Sequence, residues 1–326
     1  MNKRLKILPL TANTGMAQEI AEILDVEVMP AKVPHFADGE VCFEAMESCR
    51  GDDVYIIQST CTPVNERLME TLVTIDALKR ASARSITCVM PYYGYARQDR
   101  KAKPRQPISA KLVADLLTTA GANRVVCTDL HVSQIQGFFN IPVDDISPMP
   151  LYWKYFMDLG LDNICCVSPD HGGVVRTTRL AEKFNAPLAI IDKRRPKPNQ
   201  AEFVGIVGDV KDKNCIIVDD IVDTAGTLCL AASKLKELGA KKIYAAITHG
   251  ILSGKALENI NNSCLEKLVI TDTIPLPEEK KSDKIEVLHL APLFATVISA
   301  LEEGESLSEA RQKFDKKIFR SYTSNK

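Results

Sequence analysis

The chain has 326 residues, a mass of 36.0 kDa and a net charge of −1, with 45% hydrophobic and 25% charged residues. This composition is ordinary for a globular protein and excludes a disordered one, and at about 150 residues per domain the length predicts roughly two domains. The near-neutral charge argues against nucleic acid or an anionic membrane as the main partner, and no apolar run reaches the length of a membrane span.

Two further features predict a cytoplasmic protein. The basic start of the chain fails as a signal peptide because Pro9 cuts its apolar stretch short. The ten cysteines include no C-x-x-C pair and no Cys/His spacing typical of a zinc site. Most of them lie in apolar runs, which favours small buried thiols in a reducing cytosol.

In chain order, the first clear elements are a strand, a helix and a strand, at 54–57, 65–80 and 85–90. A second series of the same kind follows at 215–218, 226–238 and 242–248, with Gly239 as a C-cap. Both series are typical of βαβ units and predict parallel sheets in an α/β fold. Their matching order favours an internal duplication, although all βαβ units look alike.

Other segments indicate boundaries and irregular stretches rather than helices or strands. The Ser-Pro-Met-Pro string at 147–150 indicates a domain boundary near 146–151. Residues 192–200 form a basic segment broken by prolines, between two apolar runs. The tail from about 302 is charged and helix-prone, and we expect it to carry no chemistry.

The most informative segment is 216–227, I-I-V-D-D-I-V-D-T-A-G-T. A buried strand ends in Asp219 and Asp220, and a turn of small and hydroxyl residues that contains Asp223 opens a helix. Ligands of parallel sheets bind beyond the carboxyl ends of strands, where the N–H groups of a helix N-terminus form a phosphate cradle. The carboxylates can hold sugar hydroxyls or a metal. The alternative is a capped helix start with solvated acids, which the full string D-D-x-x-D-T-x-G-T disfavours.

Three more strand ends carry polar groups. One ends at Asp129 and His131, one at Asp170 before a Gly-Gly turn, and one continues into an aromatic and then basic stretch at 91–101. Singly, each has an alternative as a helix cap, a satisfied buried histidine or a solvated loop. Together with the cradle and the basic segment, they predict phosphoryl chemistry with Mg²⁺ on hard oxygen ligands.

The cradle string resembles the binding loop for phosphoribosyl pyrophosphate (PRPP) of type I phosphoribosyltransferases. The rest of the chain narrows the resemblance to the ribose-phosphate pyrophosphokinases, or PRPP synthetases, of the phosphate-dependent class. The matching strings span nearly the whole chain in family order, at 36–40 (F-A-D-G-E), 80–83, 91–101, 107–111 (P-I-S-A-K), 129–131, 134–139, 168–173 (S-P-D-H-G-G), 192–199, 219–227 and 276–280 (L-P-E-E-K).

This resemblance implies an enzyme that transfers the diphosphoryl group of ATP to O1 of ribose 5-phosphate, giving PRPP and AMP. It implies two duplicated type I phosphoribosyltransferase-like domains, each a mainly parallel sheet flanked by helices. The first, at 1–148, would hold the adenine and regulatory segments, and the second, at 149–302, the ribose 5-phosphate site and a catalytic loop, before a charged tail at 303–326. It also implies Mg²⁺ as cofactor, phosphate as activator, ADP as inhibitor, and dimers assembled into hexamers with adenine sites shared across chains.

The resemblance assigns site residues by position. The ATP segments match at Phe36, Asp38, Gly39, Glu40, Arg97 and Gln98. The ribose 5-phosphate site matches at Arg195, Asp219, Asp220, Asp223, Thr224, Ala225, Gly226 and Thr227. His131 and Asp170 match the Mg²⁺ positions, and Lys193 and Arg195 match the basic pair of the mobile catalytic loop. Ser48, Arg50 and Arg105 fall in segments that resemble the site for the inhibitory nucleotide and the activating phosphate.

In the implied mechanism, O1 attacks the β-phosphorus in line and AMP leaves, so that the protein contributes positioning and electrostatics. Lys193 and Arg195 are expected to close over ATP and stabilise charge on the bridging oxygen and β-phosphate. Pro196 and Pro198 are expected to deny the loop regular structure until substrate orders it.

The chain departs from the family pattern at Ala37, Cys49, Asn140 and Asp145, none of which removes a catalytic match. Two alternatives are a phosphoribosyltransferase that consumes PRPP and a non-catalytic, regulatory relative of the synthetases. The first gives no reason for the Arg97 segment or the 192–199 loop, and the second is expected to lose metal or loop residues that are present here. Nucleic-acid binding through the basic run at 193–197 is disfavoured by the net charge.

Overall fold

The chain forms two compact units in a computed structural model that describes residues 4–197 and 200–323. The first unit runs to Ser147 and also contains Thr273–Pro275 and His289–Phe314. The second unit contains Pro148–Asp272, Leu276–Leu288 and the chain from Asp315 onward.

The first unit is built from a sheet, a short hairpin and four helices. In chain order its elements are β1 (Leu5–Pro9), α1 (Thr14–Leu24), β2 (Ala31–Lys32), β3 (Glu44–Ala45), β4 (Asp53–Ile57), α2 (Val64–Arg80), β5 (Ser85–Met90), α3 (Ser109–Ala120), β6 (Arg124–Thr128), β7 (Val143–Ile146) and α8 (Ala291–Glu303). A 3₁₀ turn at Ser133–Phe138 joins β6 to β7.

All five strands of the first sheet are parallel, in the order β1-β4-β5-β6-β7. Strand β4, between β1 and β5, is buried along its whole length, because helices cover both of its faces. Val54 and Ile56 pack in the apolar cluster that contains α2 and α3. Tyr55, which points the other way, donates a hydrogen bond of 3.0 Å to Glu302 Oε1 of α8.

The second unit has a larger sheet. Its elements are α4 (Met149–Asp158), β8 (Ile164–Ser168), α5 (Val174–Phe184), β9 (Leu188–Lys197), β10 (Gln200–Val207), β11 (Asn214–Val222), α6 (Gly226–Glu237), β12 (Lys242–Gly250), α7 (Ala256–Asn262), β13 (Lys267–Thr271) and β14 (Ile285–Leu288). A 3₁₀ turn lies at Glu278–Lys280, and a last helix, α9 (Leu307–Thr323), begins in the first unit and ends in the second.

The seven strands of the second sheet follow the order β10-β9-β8-β11-β12-β13-β14, and only the β9–β10 pair is antiparallel. Alternate residues of β11 face two apolar clusters. Cys215 and Ile217 pack with α6, whereas Ile216 and Val218 pack with α4 and α5. The prediction of an α/β fold with mainly parallel sheets flanked by helices is therefore confirmed.

The two units share a plan. Each sheet contains five parallel strands in chain order, β1-β4-β5-β6-β7 and β8-β11-β12-β13-β14. An antiparallel pair lies between the first and second strands of each series, β2–β3 in one unit and β9–β10 in the other. This common order favours the predicted internal duplication.

Two sequence expectations about element ends were wrong. The strand expected at 215–218 continues to Val222, because Asp219, Ile221 and Val222 keep their pairing with β12. Asp219 and Asp220 therefore lie inside β11 rather than beyond it. The helix expected at 226–238 ends at Glu237, and Leu238 is 40% exposed. Gly239 follows with a φ of 90° at the helix end, as predicted.

The proline-broken segment was also wrongly predicted as irregular. Residues up to Lys197 form β9, which pairs with β10. Pro196 is tolerated because it falls between the paired positions Arg194 and Lys197, beyond the stretch of β9 that pairs with β8 among the described residues. Pro198 lies outside the described residues.

The last two helices group with different units from those expected. Helix α8 packs against α1, and residues 289–302, expected in the second domain, therefore group with the first unit. In the second unit, the Phe319 ring of α9 lies 4.0 Å from that of Trp153, and Lys183 pairs with Asp315 at 2.9 Å. The boundaries 1–148, 149–302 and 303–326 stay a prediction. Within the described ranges, none of the helices has the length and apolar character required to cross a membrane.

Candidate active site

The loop after β11 has the form of the predicted cradle. Ser253 donates its N–H to the Asp223 carbonyl over 3.0 Å and its hydroxyl to Asp223 Oδ1, and Asn259 donates to the Thr224 carbonyl over 2.9 Å. Ala225 is buried with a φ of 60°, a conformation strained for a residue with a Cβ. The N-cap residue of α6, Ala225, makes no side-chain cap hydrogen bond, and the N–H groups of a helix N-terminus are suited to binding an anionic ligand.

Gly226, the first residue of α6, is not required by the packing of the chain. A Cβ at this position would meet its nearest atom, Thr224 Oγ1, at 3.9 Å, and φ lies outside the left-handed region. Thr224 and Thr227 are exposed beside it. The structure therefore brings the predicted residues 223–227 into one open loop in which glycine allows a close approach to the backbone.

Asp219 and Asp220 share one cation, Arg176 of α5. Its Nη1 is 3.6 Å from Asp220 Oδ1 and 4.0 Å from Asp219 Oδ1, and the Asp220 N–H donates to Asp219 Oδ1 over 2.9 Å. Partial desolvation and the negative charge of Asp220 raise the pKa of Asp219 well above its usual range, which Arg176 opposes in part. The pair therefore favours a ligand that brings hydrogen-bond donors or further positive charge.

The loop after β8 lies at the same sheet edge, because β8 is the neighbour of β11. Asp170 Oδ1 accepts hydrogen bonds from the Gly172 and Gly173 N–H groups, over 3.0 and 3.2 Å. These bonds fix the carboxylate and leave Oδ2 without a described hydrogen bond. A Cβ on Gly173 would lie 2.9 Å from Ser168 Oγ, so packing requires this glycine, a reason that the sequence did not reveal.

In the first unit, Phe36–Glu40 form a tight turn. Phe36 N–H donates to the Glu40 carbonyl and Gly39 N–H to the Phe36 carbonyl, each over 2.9 Å, and Gly39 has a φ of 93°. Asp38 Oδ1 accepts from the Glu40 N–H over 3.1 Å. The Phe36 side chain is 58% exposed, and an aromatic residue displayed in this way is typical of a stacking contact with a ligand or partner.

The other predicted residues of the first unit follow β5 and β6, which are neighbours in the sheet. Arg97 and Gln98 are exposed, and the Gln98 side chain accepts a hydrogen bond from the Ser109 hydroxyl. His131 is half-buried in the loop after β6, where Asp145 Oδ1 accepts from the Leu130 N–H over 3.1 Å. Asp145, one of the departures from the family pattern, therefore helps to fix the histidine loop.

The predicted regulatory residues are only partly brought together. The Arg50 N–H and guanidinium donate to the hydroxyls of Ser48 and Ser82, each over 3.4 Å. Arg105 is exposed with a φ of 66°, and no hydrogen bond or ion pair between described residues links it to the other two.

The predicted catalytic pair lies on β9, of which the backbone is described. The side chains of Lys193 and Arg195 lie outside what the structure describes, and their roles stay predictions. Position 192, directly before them, is described: Asp192 pairs with His171 of the Asp170 loop at 3.4 Å.

Three residues of this region were missed from the sequence. The position of Arg176 could have indicated its role. It is the third residue of helix α5, where a cation is unfavourable to the helix dipole unless acidic groups lie nearby. Ser253 and Asn259 gave no signal, because they reach the loop from 30 and 35 residues away along the chain.

Comparisons with known proteins give consistent matches. Residues 5–121 match the family described as the N-terminal domain of ribose phosphate pyrophosphokinase, and residues 185–311 match the phosphoribosyl synthetase-associated domain. The ribose-phosphate pyrophosphokinase of Caldanaerobacter subterraneus subsp. tengcongensis is 59% identical over 306 residues, which are 94% of this chain and 97% of that protein. The Bacillus subtilis enzyme of that name is 54% identical over 307 residues, with the same coverage.

A solved structure agrees with these sequence matches. The crystal structure of phosphoribosylpyrophosphate synthetase from Mycobacterium smegmatis superposes with a TM-score of 0.86 at 42% identity, covering 93% of this chain and 100% of that one. The likeness therefore extends over both units.

Proposed function

Because the chain belongs to the ribose-phosphate pyrophosphokinase family, we propose that it transfers the diphosphoryl group of ATP to O1 of ribose 5-phosphate, giving PRPP and AMP. The prediction of a ribose-phosphate pyrophosphokinase is confirmed by relatives of that name that match nearly the full chain. It is therefore a transferase of nucleotide biosynthesis. The same full-length likeness argues against a single-domain phosphoribosyltransferase.

The observation that carries the ribose 5-phosphate assignment is the loop at 223–227. Its N-cap residue, Ala225, makes no side-chain cap hydrogen bond, and a Cβ on Gly226 would meet its nearest described atom at 3.9 Å. We propose that the first N–H groups of α6 bind the 5-phosphate and that Asp219 and Asp220 accept hydrogen bonds from the ribose hydroxyls. Asp223, fixed by Ser253, would hold the loop open for the sugar.

An enzyme that acts on ATP generally needs a divalent cation, and we propose Mg²⁺. The Asp170 carboxylate fits this ion, because Oδ2 is a hard oxygen outside its bonds to the glycines. The family resemblance assigns His131 as a further metal position. Bound Mg²⁺ would neutralise negative charge on the phosphates.

The remaining roles follow the family resemblance. We propose that Phe36 stacks on the adenine, that Asp38, Gly39, Glu40, Arg97 and Gln98 complete the ATP site, and that Lys193 and Arg195 stabilise the charge that builds up as AMP leaves. We also propose phosphate activation and ADP inhibition through Ser48, Arg50 and Arg105, a cytoplasmic hexamer built from dimers, and two phosphoribosyltransferase-like domains.

The direct test is to measure AMP and PRPP formed from ATP and Mg²⁺, with and without ribose 5-phosphate. We expect AMP only when ribose 5-phosphate is present, in equal amount with PRPP. Calorimetry with ribose 5-phosphate and a nonhydrolysable ATP analogue separates binding from turnover. Binding without AMP would identify a non-catalytic relative, and no binding would contradict the assignment of the 223–227 loop.

A further inference from the structure

A group of side chains that could hold a metal ion lies in the first unit, apart from the residues assigned above. His35, Glu66 and Glu70 each offer one ligand atom, and these three atoms lie within 4.8 Å of one another. His35 Nε2 is 3.2 Å from Glu66 Oε1. Glu66 and Glu70 are four residues apart on α2, which places both carboxylates on one face of the helix.

Glu70 supplies an independent reason to expect a cation. Its side chain is buried, at 1% exposure, and its two hydrogen bonds come from neutral donors, Thr11 and Gln58, each over 2.6 Å. Both bonds fall on Oε2. No described lysine or arginine pairs with this carboxylate, and buried carboxylates are normally paired with a cation or bound to a metal.

The surroundings hold the Glu70 carboxylate and the backbone of His35 in place. The two donors orient Glu70, and Gln58 is itself fixed by the Ala12 N–H, which donates to Gln58 Oε1 over 2.8 Å. Ligating carboxylates in metal sites are hydrogen-bonded in this way. His35 lies at the base of the 36–40 turn, where its backbone bridges to Val41. The site is therefore built from a fixed helix, a fixed carboxylate and an ordered turn.

We propose that His35, Glu66 and Glu70 bind one divalent transition-metal ion of the Zn²⁺ class. One imidazole and two carboxylates are ligands that Zn²⁺ accepts in tetrahedral sites, with water in the fourth position. These three ligands share no residue with the Mg²⁺ site proposed at Asp170, and ions of the Zn²⁺ class accept imidazole ligands more readily than Mg²⁺ does. The ion would tie the base of the 36–40 turn to α2.

The test uses the full chain, stripped with EDTA, dialysed and titrated with ZnCl₂ by calorimetry in buffer with millimolar MgCl₂. The variants are H35A and E66Q, which alter side chains 37% and 44% exposed and are therefore expected to fold. The control is E22Q, which removes an exposed helical carboxylate of α1 that lies outside the group. Glu70 is left unchanged because its burial makes a folding defect the expected result of substitution.

We expect the unaltered chain and E22Q to bind one more Zn²⁺ equivalent than H35A and E66Q, or to bind it at least about tenfold more tightly. Zn²⁺ should also raise the melting temperature of the unaltered chain and E22Q more than that of the two variants. The proposal is overturned if the unaltered chain binds no Zn²⁺, or if H35A and E66Q match it in stoichiometry, affinity and thermal shift.

Discussion

At position 219 the protein holds a carboxyl group whose surroundings disfavour its ionisation. Since its pKa is raised in the folded state, the ionised group destabilises the fold as pH rises from about 4, the ordinary carboxyl value, through the raised value. We expect D219N to be more stable than the unaltered chain at pH 7, with the difference vanishing toward pH 4. Urea unfolding across this range measures it.

The same substitution should impair function. Loss of a hydrogen-bond acceptor corresponds to about 0.5–1.5 kcal/mol, so kcat/KM for ribose 5-phosphate should fall by about twofold to tenfold. D158N, which removes a carboxylate paired with Lys154 on α4, is the control and should change neither quantity by more than about 1 kcal/mol. A D219N protein less stable than the unaltered chain at pH 7 would contradict the interpretation of this site.

A substitution at Gly226 should change substrate binding without lowering the stability of the fold. Because a Cβ there meets nothing closer than 3.9 Å, we expect G226A to keep its free energy of unfolding or to gain up to about 1 kcal/mol at the start of α6. The added methyl group would lie where the phosphate approaches, so KM for ribose 5-phosphate should rise about tenfold or more. Steady-state kinetics and urea unfolding measure both.

The control for this variant is G137A, where a Cβ would have no neighbour within 4 Å and no ligand is proposed. It should leave KM unchanged. If G226A also leaves KM unchanged, the phosphate does not contact this part of the loop.

At the scale of elements, the β9–β10 hairpin carries the proposed catalytic pair. We expect K193A to lower kcat by about a hundredfold or more with little change in KM, because a cation that acts on the transition state contributes little to substrate binding. R194A, which removes a cation from the intervening position of the same strand, is the matched control. A loss of ATP affinity with kcat intact would contradict the assigned role.

Periodicity located the elements of the sheets well. The helix expected at 65–80 is α2, Val64–Arg80, and the strand expected at 85–90 is β5, because local apolar patterns decide both. The missed features depend on distant partners. Strand β11 runs past its apolar core because β12 continues alongside, and β9 continues through Pro196 because β10 pairs with it.

In the candidate site too, local features were predictable from the sequence and contacts between distant residues were not. The cradle at 223–227 was predictable because one contiguous string contains the strand end, the turn and the helix start. The Arg176 contact with Asp220 was not, since it joins side chains 44 positions apart on different elements, and neither was the Ser253 contact with Asp223. The residue types of the loop can be read from the sequence. The side chains that contact them from other elements become known only from the folded structure.

At the scale of the whole molecule, we expect light scattering to give six times the chain mass of 36.0 kDa.

R50A should keep that mass but raise the phosphate concentration for half-activation by about tenfold, because a charged hydrogen bond is lost. R80A, which removes an exposed arginine that pairs with Asp76, is the control. Unchanged phosphate dependence in R50A would contradict the regulatory assignment.

The discontinuity of the first unit has a consequence for synthesis of the protein. Helix α8 covers α1 and accepts the Tyr55 hydrogen bond, yet it lies at Ala291–Glu303, after almost all of the second unit. When every strand of the first sheet has left the ribosome, helix α8 has not yet been synthesised. The surface that α8 covers in the folded protein therefore stays exposed to chaperones until translation is nearly finished.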